Sequence, residues 1–272
     1  MDNIVTQNSG EDNVKRLKVV LLAFAISFSL FFTKIFAQDQ SIWKIYIAAG
    51  IYFVVTFLGL LWAFEFKAKL KSLIYILQGS LFVFSEVLFV RIFFLHDLER
   101  LYQGVLLLVL LAFIWMITYA CFLMVNVFNV SLFKSLPLMQ VAQTASYILT
   151  LLMIYFFTFS ILASGFALYI IFPVVLLFYI FVLYMQFKEL GMEQGVIWRR
   201  VFIISLLNMF TLVPFVFVGS SHEIAAILPT IGGFVGGGLL NLSNQKNIKW
   251  QVFGYNVLLL VAIFLAVYFN WS

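Results

Sequence analysis

Apolar residues in this chain do not alternate with polar ones. They form long continuous runs separated by short polar stretches. Nine runs have membrane length: Val19–Ala37, Trp43–Phe64, Ser72–Phe94, Gln103–Val125, Leu138–Phe159, Gly165–Phe187, Trp198–Gly219, Ile224–Leu242 and Trp250–Phe269. Each is near the roughly 20 residues with which a helix crosses about 30 Å of hydrocarbon. In lipid every backbone N–H and C=O must be satisfied internally, so continuous apolar runs predict helices. The period-two alternation of barrel strands is missing. The pattern therefore predicts an all-α, polytopic transmembrane helical bundle of about nine helices. It occupies residues 14–272 as a single domain. Residues 1–13 are polar and are expected to form a short disordered tail.

Composition narrows the solvent. Of 272 residues, 65% are hydrophobic and only 10% are charged. Soluble chains carry about 45–50% apolar and about 25% charged residues. A soluble domain of this length could not hide 34 phenylalanines, because too much of its surface faces water. The lipid bilayer is thus the principal partner. The net charge of +5 raises the question of nucleic acid. The basic residues, however, stand singly or in short clusters between apolar runs, where topology signals lie. No basic face with interleaved aromatics exists, so no nucleic-acid partner is expected.

Charge also predicts orientation. With the N-terminus in the cytoplasm, the inside segments hold twelve basic residues, among them Lys15, Arg16, Lys18, Lys67, Lys69 and Lys71. The outside segments hold four: Lys34, Lys44, Arg91 and Arg100. This is the asymmetry of the positive-inside rule, and it predicts a cytoplasmic N-terminus and an outside C-terminus in the cell's cytoplasmic (inner) membrane. Trp43, Trp62, Trp198, Trp250 and Trp271 fall at expected helix ends, where indoles favour the headgroup layer. The first run resembles a secretory signal, but Ile35 occupies the place where cleavage wants a small residue, so a retained helix is expected. Cys121, the single cysteine, reads as a small buried apolar group.

Few groups in this chain could carry chemistry. Glu86 lies well within lipid depth, in Ser85-Glu86-Val87-Leu88-Phe89-Val90-Arg91. A buried carboxylate is costly unless it is protonated or paired. Arg91 is five positions on, about 140° around the helix, so it does not share the face of Glu86. It is expected to snorkel to the outer headgroups. The partner of Glu86 should therefore come from elsewhere, and Gln78, Asn126, Gln143, Thr144 and Asn208 are the candidates. Gln140, Gln143, Thr144 and Tyr147 follow i, i+3, i+4, i+7 spacing and predict either interhelical hydrogen bonding or one wall of a cavity. Gly232/Gly236 and Gly233/Gly237 form two overlapping G-x-x-x-G pairs and predict close helix packing. Pro173 and Pro214 read as kinks.

His96-Asp97-Leu98-Glu99-Arg100 reads as a solvated turn. A cation site shared with His222 and Glu223 is the sharper reading of the same residues. No nucleophile–base motif, metal signature or phosphate loop is present, so no catalytic residue, metal or cofactor is expected.

Asn126-Val127-Phe128-Asn129-Val130, then Leu136-Pro137-Leu138 and Gln143-Thr144 before a long apolar helix, resembles a family of uncharacterised multi-pass integral membrane proteins of candidate-phyla bacteria. The likeness spans residues 126–159. It implies a bacterial membrane protein and brings no activity, cofactor or binding residue. The residues themselves support a non-enzymatic membrane component or scaffold, with another membrane protein or further copies of itself as partner. The alternative is a small proton- or cation-coupled transporter or channel using Glu86.

Overall fold

The computed structural model describes residues 2–36, 41–66, 73–93, 101–129, 136–189, 192–218 and 221–242, together with Val257 and Val261. Among the described residues the protein is all-α. It has eight helices: α1 (Asp2–Phe36), α2 (Ile42–Ala63), α3 (Leu73–Phe93), α4 (Leu101–Asn129), α5 (Leu136–Ala163), α6 (Leu168–Glu189), α7 (Gln194–Val218) and α8 (His222–Leu242). Six of them, α2 to α7, contain stretches long and apolar enough to cross a membrane. This is a helical, membrane-type architecture. The ninth expected helix, Trp250–Phe269, lies outside the described residues except for Val257 and Val261, both helical.

Several boundaries differ from the sequence expectation. Helix α1 begins at Asp2, so residues 2–13, expected as a disordered tail, are its first turns. Helix α6 begins at Leu168 rather than Gly165. Gly165 instead sits in the turn after α5 at φ +68°, a left-handed angle that glycine adopts without steric cost. This turn separates α5 from α6. Helix α5 opens with Pro137 in its first turn, where the missing N–H leaves no bond unmade.

The chain forms two compact units, Met1–Leu149 and Thr150–Ser272. Helix α5 contributes its first half to the former and its second half to the latter. In the first unit, α3 lies between α2 and α4, and α1 packs on both α2 and α4. Helical periodicity explains which residues are enclosed. On α4, Thr118, Cys121, Phe122, Val125 and Phe128 share one buried face, while Val105, Leu108, Val109, Phe113 and Met116 are exposed, the division expected where lipid covers the outer face. On α1 the buried residues Val19, Ala23, Ile26, Ser27 and Leu30 repeat at helical spacing. The exposed Phe24, Phe28 and Phe32 stack along its other side at 5.8 and 6.3 Å. Helix α3 is enclosed nearly all round, as a helix with neighbours on several sides must be.

In the second unit α7 packs on α6 and α8. The second half of α5 joins α6 through a buried hydroxyl pair, Thr158 Oγ1 to Tyr179 Oη at 2.7 Å. The Thr158 proton is committed to the Ile154 carbonyl, so the Tyr179 hydroxyl is the donor. The Phe157 and Phe178 rings stack beside them at 3.8 Å.

Candidate functional site

Glu86 lies thirteen residues beyond the start of α3, about 20 Å along its axis at 1.5 Å per residue. It is 2% exposed. Its neighbours on α3, Phe82, Val83, Val87 and Val90, are apolar and buried. The group facing it is the Thr118 hydroxyl of α4, which donates to Oε2 at 2.8 Å. Thr118 is itself fully buried. Among the described residues no basic side chain forms an ion pair with Glu86.

Thr118 was not among the partners the sequence suggested. Those were Gln78, Asn126, Gln143, Thr144 and Asn208. A signal existed in the depths of the two residues. Glu86 follows Leu73 by thirteen residues and Thr118 precedes Asn129 by eleven. In antiparallel neighbours flush at that end, the two side chains are level.

Gln78 does make a long-range bond, but not to Glu86. It is two helical turns below, and its Nε2 donates to Ser146 Oγ on α5 at 3.0 Å. Both residues are buried. Helix α3 is thus hydrogen-bonded to α4 near one level and to α5 near another. The face expected on α5 is divided by this arrangement. Thr144 is exposed and returns its hydroxyl to the Gln140 carbonyl at 3.0 Å. Gln143 is half-buried, and Ser146 is the residue that reaches α3. Asn126 on α4 is half-buried, and its Oδ1 has no hydrogen-bond partner among the described residues.

Arg91 also departs from expectation. It is 6% exposed, so protein encloses the guanidinium that was expected to reach the headgroups. The packing around the end of α3 exceeds what one helix's periodicity can show.

Asn208 belongs to the second unit. It is fully buried on α7, and neither side-chain polar atom has a hydrogen-bond partner among the described residues. Its carboxamide lies against the glycine face of α8. A Cβ at Gly232 would stand 2.8 Å from Asn208 Oδ1, and one at Gly233 would stand 3.4 Å from Nδ2. At Gly236 the neighbours are Ile204 and Leu207 of α7. Gly237 is helical, and its surroundings lie outside the described residues. The glycines thus admit a polar side chain of the adjacent helix. Gly232→Ala should lower stability by about 1–2 kcal/mol through overpacking. Adding Asn208→Ala should recover most of that loss, because it removes the colliding amide. Unfolding of both variants in mixed micelles checks this, and a double variant less stable than Gly232→Ala alone would contradict it.

His222 and Glu223 are exposed at the start of α8. The turn from His96 to Arg100 lies outside the described residues, so the suggested cation site cannot be assembled from them. Among the described residues no three potential metal ligands converge.

The described helices define a polytopic helical protein of membrane type, with a hydrogen-bonded acid inside its first unit. Comparison with protein-family models, with curated proteins and with solved structures finds no match.

Proposed function

We propose that this chain is a nine-helix integral protein of a bacterial cytoplasmic membrane, with its N-terminus inside and its C-terminus outside. In this reading it is a non-enzymatic component that holds another membrane protein or further copies of itself. The charge asymmetry of the connecting segments supports the orientation. The reading of function rests on the surroundings of Glu86. The one acid at lipid depth is engaged by a neighbouring helix through Thr118 and is bordered on its own helix by apolar side chains. A carboxyl placed this way joins α3 to α4. A coupling site would instead present its acid to a polar path.

The test is reconstitution of the full chain in vesicles carrying a pH-sensitive dye. Proton leak should match that of protein-free vesicles, and Glu86→Gln should not change it. A leak above background that Glu86→Gln abolishes would replace this reading with the transporter. The same preparation in mild detergent should run as a defined oligomer or with a stable partner, and a lone monomer would contradict the holding role.

A further inference from the structure

Two ammonium groups share one carboxylate where α1 and α2 run side by side. Helix α2 ends through Phe64, Glu65 and Phe66. Glu65 and Phe66 have left-handed backbone angles, φ 58° and 54°, which are unfavourable for residues with a Cβ. Their N–H groups close the helix end, Glu65 N–H to the Trp62 carbonyl at 3.0 Å and Phe66 N–H to the Leu61 carbonyl at 2.9 Å. The turn carries the Glu65 side chain to α1. Lys15 Nζ lies 3.9 Å from its Oε2 and Lys18 Nζ lies 3.9 Å from its Oε1. Lys18 Nζ also stands 5.4 Å from the centre of the Trp62 ring, within cation–π range.

Among the described side chains, one carboxylate faces two cations here and leaves a positive charge. Both separations exceed the roughly 2.7–2.9 Å of a charge-assisted hydrogen bond, so each ammonium keeps donors for another acceptor. All three side chains are about one quarter exposed, held in place yet open. Exposed Arg16 lies next to Lys15 and raises the local potential further.

The depth identifies the anion. Trp62 is the penultimate residue of the span Ile42–Ala63, so Glu65 and the two lysines stand at the headgroup layer. The abundant anion at that level is the phosphate of an acidic phospholipid. We propose that Lys15 and Lys18 form a binding site for an anionic phospholipid headgroup. Glu65 acts as a built-in counter-ion that orders the two lysines and moderates their affinity. Trp62 holds Lys18 at headgroup depth.

The experiment titrates the full chain, in a neutral detergent, with short-chain phosphatidylglycerol and counts bound lipid by native mass spectrometry. Phosphatidylglycerol should bind in preference to phosphatidylcholine of the same chain length, and inorganic phosphate at equal concentration should not displace it. Lys15→Gln and Lys18→Gln should each weaken binding about fivefold, and added salt should weaken it further. Glu65→Gln should tighten it, a gain that misfolding cannot produce. Equal binding of the two lipids, unchanged affinity in the lysine variants, or weaker binding in Glu65→Gln would overturn the proposal. Displacement by inorganic phosphate would overturn the lipid as the source of the anion.

Discussion

Thr118→Val should destabilise the protein by about 1.5 kcal/mol while leaving its shape unchanged. Valine matches threonine in volume, so the substitution removes the hydroxyl and little else. The loss is not simply one hydrogen bond. Interhelical hydrogen bonds in membranes average only about 0.6 kcal/mol, because the separated helices find other partners. Here the acceptor is a carboxyl group 2% exposed on α3, and a buried polar group left without its donor costs about 1–3 kcal/mol. The expected effect therefore lies near the upper end of the membrane range. Thr118→Ser, which keeps the donor, should cost less than Thr118→Val. Reversible unfolding in detergent or bicelles measures both, and equal losses in the two variants would sink the assignment of the hydroxyl.

Gly79→Leu should have a larger effect, about 3 kcal/mol. Gly79 is buried on α3. A Cβ there would stand 3.0 Å from Val125 Cγ2 of α4 and 3.2 Å from Leu60 Cδ1 of α2, with Cys121 Sγ at 3.9 Å. Three helices meet over the missing side chain. Val125 is β-branched and stiff at χ1, so it yields little. Leucine adds three more carbons, which can be housed only by spreading α2 or α4 away from α3. Overpacking of a tight site costs about 1–3 kcal/mol and occasionally more. Gly79→Ala should cost much less, because the atoms it meets are side-chain methyls. A thermal melt of the two variants beside the wild type checks the prediction, and a Gly79→Leu protein as stable as wild type would contradict the close approach.

The helices were legible because lipid makes them so. A continuous apolar run in hydrocarbon has one backbone solution, and its length must match the membrane. The expected Ser72–Phe94 and observed Leu73–Phe93 differ by one residue at each end. Ends were less legible where the solvent changes. Helix α1 continues through polar residues to Asp2, because outside lipid a helix can be polar all round. The tertiary pairings were least legible. The partner of Glu86 depends on which helix lies beside α3 and at what height, and no periodicity within α3 carries that information. Thr118 and Gly79 do not stand out in the sequence for the same reason. A hydroxyl or a lone glycine is common in such helices, and each becomes distinctive only through what it faces. Gly232 and Gly233, whose spacing was noticed, face the Asn208 carboxamide. Spacing indicated a close approach, and chemistry on α7 determined what approaches.

The account turns on Glu86 serving as the join between α3 and α4. The most direct test is a double-mutant cycle of Glu86→Leu and Thr118→Val, read as unfolding free energy of the full chain in bicelles. The account predicts that the two losses are not additive and that the coupling is about 1 kcal/mol. Losses that add within about 0.3 kcal/mol would show that the two side chains do not depend on each other, and would contradict it.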